Sequence, residues 1–103
     1  IPRKDSVSIG KSDIEQVNVI TRLTGPIDPE KEEDVTWLVS YKIHFSVLKN
    51  YHNFDNPRPG TVLRANFYKC GDDTSHPHWL TWALIDNPTP DFHRPEFFGE
   101  LHF

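Results

Sequence analysis

Apolar and polar residues alternate most cleanly over 35–43, where Val35, Trp37, Val39, Tyr41 and Ile43 share one face and Thr36, Ser40 and Lys42 share the other. A period of two predicts a β-strand with one face turned to a core. The same pattern recurs over 16–24, with Val17, Val19, Thr21 and Leu23 opposite Asn18, Ile20 and Arg22. A third strand is predicted over 61–69, with Leu63, Ala65 and Phe67 pointing one way and Arg64, Asn66 and Tyr68 the other. A fourth covers about 78–84, and a final one runs from Gly99 to Phe103.

Between these stretches the chain is punctuated by turn formers. Gly25-Pro26, Asn56-Pro57-Arg58-Pro59-Gly60, Gly71-Asp72-Asp73 and the loop from Asp86 to Pro90 all break the pattern. Residues 1–15 read as a loop with one helical turn near Ser12-Asp13-Ile14-Glu15, which has the Ser-x-x-Glu spacing of a capping box. A second short helical turn is predicted from His44 to Leu48, and a turn or short 3₁₀ segment from Phe92 to Phe98. Five short strands with wide, Pro-rich connections describe an all-β antiparallel sandwich, and no boundary divides residues 1–103.

Composition narrows the partners. Aromatic residues make up 13% of the 103 residues, and nine are proline, which fits a sheet protein with many turns. The net charge is −4, and the densest charge run, Asp28 to Asp34, is acidic. Nucleic acid and anionic membrane are therefore poor candidates as partners. No apolar stretch is long enough to span a bilayer. Cys70 is the single cysteine, so no disulfide can form within the chain, and a buried structural thiol is expected. The opening Ile1-Pro2-Arg3-Lys4 without an initiator Met suggests a processed or truncated product.

Three segments carry a resemblance. Asn66-Phe67-Tyr68, the stretch Trp79 to Trp82, and the run Pro90-Asp91-Phe92-His93-Arg94-Pro95-Glu96-Phe97-Phe98-Gly99 resemble the carbohydrate-binding family 9-like domains common in Bacteroidetes. The strand Trp37 to Ile43, leading into His44-Phe45-Ser46-Val47-Leu48, is similar to that family's long central strand and the turn after it. The likeness runs from about residue 16 to the end. It implies a β-sandwich of which this chain is the C-terminal half, completed by an N-terminal half or a second chain. It also implies non-catalytic carbohydrate binding in polysaccharide capture or catabolism, in a secreted, periplasmic or cell-surface module that accompanies a glycoside hydrolase. No cofactor is expected; structural calcium is known in the family.

A saccharide site needs a flat apolar surface for the C–H face of a pyranose and polar groups for its hydroxyls. By the resemblance, Trp82 is the expected stacking platform and Trp79 the alternative. Arg64, Asn66 and Tyr68 form a polar stripe suited to hydroxyl recognition; the competing reading is a solvated outer face, favoured for Arg64, or an Asn66 side chain bonded to backbone. Trp37, among apolar strand mates, is assigned to the core.

Other constellations have plainer readings. His76-Pro77-His78 with His93 or His102 invites a zinc site, but Pro77 disturbs the strand spacing, and solvent-facing histidines are expected. The acidic run Asp28, Glu30, Glu32, Glu33 and Asp34, and the pair Asp72-Asp73, offer oxygen ligands for calcium without diagnostic spacing. Asp91 or Glu96 could serve glycoside hydrolysis only with a second acid in one cleft. Pro90 and Pro95 bracket this segment, so it reads as a latch in which phenylalanines plug the fold and Arg94 pairs with a carboxylate or carbonyls. Two functions compete with sugar binding: a structural or assembly sandwich that has lost its site, and a hydrolase. A half-sandwich also exposes apolar surface and strand edges, so the isolated chain is not expected to be a stable monomer.

Overall fold

The structure is a computed structural model of the 103-residue chain, describing residues 5–23, 25–53 and 55–103. It is all-β and antiparallel, sandwich-like in class, with short helical turns between strands. Two compact units are distinguished, one ending at Asn56 and the other running Pro57–Phe103.

In the first unit, β1 (Asn18–Thr21) pairs antiparallel with β2 (Val39–Lys42), and the ladder is extended by Arg22 N–H donating to Leu38 O at 2.9 Å. Directly opposed residues share a face, so Val19 meets Tyr41 and Thr21 meets Val39 on one side, while Ile20 meets Ser40 on the other. Both predicted strands are present but shorter than the alternation suggested. Their apolar face is not covered: every residue of β1 and β2 is exposed, and Trp37, assigned to the core, is also exposed. The alternation reports a face built for burial, and nothing in this ribbon buries it.

Helix α1 (Lys11–Ile14) occupies the predicted helical turn, but the capping box does not form. Gly10 is the N-cap and Ser12 lies inside the helix, making no side-chain cap. Long-range bonds hold this turn instead. Tyr51 Oη accepts from Gly10 N–H at 2.7 Å and donates to Asp13 Oδ2 at 2.6 Å, and Asn50 Nδ2 donates to Asp13 Oδ1 at 3.3 Å. Tyr51 follows α2 (Phe45–Lys49), which starts where His44 Nδ1 accepts from Ser46 N–H. Val47 on α2 is the buried hydrophobic residue of the described chain, at 4% exposure.

In the second unit, β3 (Val62–Ala65) pairs with β6 (Gly99–His102), and β4 (Tyr68–Gly71) pairs with β5 (His78–Thr81). The chain's last residue is tied into the first ladder: Phe103 N–H donates to Thr61 O at 3.0 Å and Gly60 N–H donates to Phe103 O at 2.9 Å. Gly60 turns the chain with φ of +89°, a conformation that favours glycine.

The single strand predicted over 61–69 is instead two, β3 and β4. The break falls at Asn66, whose side chain acts as a piece of backbone. Its Oδ1 accepts from Ala83 N–H at 2.8 Å and from Phe67 N–H at 2.9 Å, and its Nδ2 donates to Ala83 O at 3.0 Å. Asn competes with the backbone for such bonds, and here the competition redirects the strand. Period-two patterning carries no sign of this, because Asn66 and Phe67 keep the alternation.

Large apolar side chains, Ile20 and Leu84 among them, are exposed.

Candidate functional site

Strand register builds one aromatic face. Tyr68 opposes Thr81 and Cys70 opposes Trp79, so these four side chains project from the same side of the β4–β5 ribbon. Cys70 is exposed rather than buried, because that side is not closed by a second layer. Next to it lies a cleft of about 290 Å³ whose lining includes Trp79, Thr81, Asn87, Thr89, Asp91 and Phe92. That volume sits at the lower edge of the roughly 300–1,000 Å³ common for small-molecule sites, close to a single sugar unit in scale.

The loop that forms the cleft is stiff for a local reason. Pro88 and Pro90 fix backbone angles on either side of Thr89. Asn87 Nδ2 donates to Thr89 O, and Asp91 Oδ1 accepts from His93 N–H at 2.9 Å. Phe92 stacks on Tyr68, with ring centroids 4.3 Å apart and planes 12° from parallel. Burial raises the Tyr68 phenol pKa above its ordinary value; Asn66 opposes the shift, and the neighbouring Asp91 carboxylate adds to it. Trp79 keeps 43% of its surface exposed.

The predicted site residues divide into three groups. Trp79 lines the cleft, and Tyr68 supports it through Phe92. Trp82 follows β5 and is 54% exposed, but stands outside the cleft lining. Its indole meets Phe67 edge-on at 5.5 Å and lies against Gly99, where an added Cβ would come within 2.7 Å of the ring. Arg64 and Asn66 are turned to internal partners. Arg64 Nη2 donates to Phe98 O at 2.8 Å and to Glu96 O at 3.2 Å, and Asn66 holds Ala83. Asn87, Thr89 and Phe92 line the same cleft but belong to no predicted strand; the signal available in the sequence is the Asn-Pro-Thr-Pro-Asp run, a polar residue between two fixed turns.

The 90–99 segment has the geometry of a latch. Arg94 Nε donates to Glu96 Oε1 at 2.6 Å, Nη1 donates to Asn87 Oδ1 at 2.9 Å, and the guanidinium lies 5.5 Å from the Phe97 ring centre. Arg64 fastens the 3₁₀ turn Pro95–Phe97 from β3. Its own backbone N–H, and then Arg94, hold the Glu96 carboxyl below the usual range. A glycosidase general acid needs the opposite shift.

Among the described residues, no three His, Cys, Asp or Glu side chains gather in a way that would hold a metal ion. His78 contacts Lys69, and His102 pairs with Glu100 at 2.9 Å. No described helix is long and apolar enough to cross a membrane.

Comparison with known proteins adds one finding. No curated protein and no solved structure matches the chain. The family model for carbohydrate-binding family 9 matches residues 1–103, so the likeness extends upstream of residue 16 to the start of the sequence. An all-β chain with an aromatic, polar-rimmed cleft, matched over its whole length, thus belongs to carbohydrate-binding family 9.

Proposed function

We propose that this chain is a non-catalytic saccharide-binding module in which the Trp79 indole seats a pyranose ring. The observation that carries the reading is the cleft itself: an exposed indole beside Thr81, Asn87, Thr89 and Asp91. The indole supplies the flat apolar seat, and the lining supplies hydroxyl and carboxylate groups for the sugar's hydroxyls. Family membership supports the ligand class. Trp82, the platform expected from the sequence, stays in the proposal as a second exposed indole next to Phe67 and Gly99. Arg64, Asn66 and Tyr68 serve as positioning residues that brace β3, β4 and the 3₁₀ turn.

A purely structural role would be favoured by sealed tryptophans, and both Trp79 and Trp82 are open to solvent. The module acts outside the cytoplasm, in polysaccharide capture or catabolism, beside a glycoside hydrolase. Its exposed β1–β2 face is completed by further β-structure, from the other half of the domain or a second chain.

Calorimetry with neutral mono- and oligosaccharides tests the reading. Trp79→Ala is expected to weaken binding at least about tenfold, equivalent to roughly 1.4 kcal/mol. If Trp82→Ala carries that loss while Trp79→Ala leaves affinity intact, the platform is Trp82. If no saccharide binds the folded wild type, the proposal fails.

A further inference from the structure

Charge in the Trp79 cleft is unbalanced. Of the residues that line it, Asp91 is the one with a formal charge. Arg94 reaches Asn87 on the same loop, but its own charge is matched by Glu96 at 2.6 Å. The Asp91 carboxylate is only partly occupied. Its Oδ1 takes the His93 N–H at 2.9 Å, and among the described residues it has no cationic partner. Tyr68, which feels the Asp91 charge, is a neutral phenol, and the Arg94–Glu96 pair carries no net charge. Local charge beside the cleft is therefore net negative.

Two of the remaining lining residues are aromatic, Trp79 and Phe92. An aromatic face attracts a cation through its quadrupole, and tryptophan does so most strongly. A carboxylate without a cationic partner adds Coulomb attraction that salt screens. Both effects favour a ligand with a positive group, and both disfavour one with a carboxylate.

Building on the saccharide reading of this cleft, we infer that it selects sugars carrying a protonated amine over their acetylated or acidic counterparts, with Asp91 as the specificity-determining residue. The ligand class is an unacetylated amino sugar, its ring on Trp79 and its ammonium on Asp91. Uronates are rejected because their carboxylate would meet Asp91 with no counter-charge in the lining.

The test uses the full 103-residue chain and three probes: an unacetylated glucosamine oligomer, its N-acetylated counterpart, and an oligogalacturonate. Calorimetry at about pH 6 keeps carboxylates ionised. The amine form is expected to bind about three- to tenfold tighter than the acetylated form at low salt, the range of an exposed ion pair reinforced by an aromatic face. The uronate should bind weakest. Asp91→Asn should bring the amine-to-acetyl ratio close to one, and so should about 1 M salt on the wild type, which needs no variant to fold. Equal binding of amine and acetyl forms by the wild type, or a ratio indifferent to both salt and Asp91→Asn, overturns the inference while leaving sugar binding intact. Absence of binding by all three overturns the inference, while the saccharide reading stands or falls separately on an unsubstituted neutral oligosaccharide.

Discussion

The two units of this chain use the same period-two grammar and reach different ends. In the unit that ends at Asn56, β1 and β2 pair over four residues, and all of their side chains stay exposed. In Pro57–Phe103, side chains tie separate segments together: Arg64 to carbonyls at the 3₁₀ turn, Asn66 to the Ala83 backbone, and Arg94 to the Asn87 side chain. Backbone pairing sets the register of the first ribbon, whereas polar side chains tie segments of the second together and border a cleft in it. Alternation says which face wants burial; it does not say whether the chain holds the layer that provides it.

The sharpest way to break this comparison is to remove the Asn66 clamp. Asn66→Ala leaves Ala83 N–H and C=O and Phe67 N–H without their partner. That should cost about 2–3 kcal/mol in chemical unfolding, in line with partly buried polar groups left unpaired. Loss within a few tenths would mean that water replaces the clamp and that the second unit is no better specified than the first.

Gly99→Ala comes next. The new Cβ would meet the Trp82 ring at 2.7 Å and the Ala83 Cβ at 3.2 Å, so the indole must move. A destabilisation of about 1–3 kcal/mol is expected, with a shift in tryptophan emission. An unchanged spectrum would show that Trp82 is not seated on β6.

Much of this fold was legible beforehand, for reasons that differ by residue. The β1, β2, β5 and β6 strands follow from alternation, and the helical turns at α1 and α2 from local signals. The division at Asn66 was not legible, because the cause is a side chain reaching seventeen residues ahead to Ala83. The α1 cap is not legible either: Ser12 has capping-box spacing, but Tyr51, thirty-eight residues from Asp13, holds the turn. The sequence favours Trp82 as platform, with Trp79 as its alternative; the grouping of Trp79 with Asn87, Thr89 and Phe92 in one cleft is not legible, since it depends on how a loop folds back on a strand.

Acid and alkali should separate the two units. The Glu96 pKa is lowered, first by its own backbone N–H and then by Arg94, so its contribution is present above the ordinary carboxylate pKa and is lost as pH falls through the folded value. The Tyr51 pKa is raised, chiefly by its bond to Asp13, so its contribution is complete below about pH 10 and is lost as pH rises through the folded value. Amide exchange should therefore loosen the Arg94–Glu96 turn first at the acid end and α1 first at the alkaline end. Simultaneous loosening at both ends would erase the distinction.

The smallest expected effect is on the stability of the isolated ribbon. Val19→Thr, at a site 60% exposed, should change unfolding free energy by less than about 0.5 kcal/mol. The same change should reduce self-association in sedimentation, because it trims the uncovered apolar face. A folded, monodisperse wild-type monomer of 12.0 kDa would show that this face needs no cover.

The most direct measurement is an amide NMR titration of the folded chain with a neutral oligosaccharide. Shift changes are expected to cluster at β5 and residues 84–92 and to leave β1 and β2 unmoved. Perturbation centred on the β1–β2 ribbon, or none at saturating sugar, would contradict a binding cleft at Trp79.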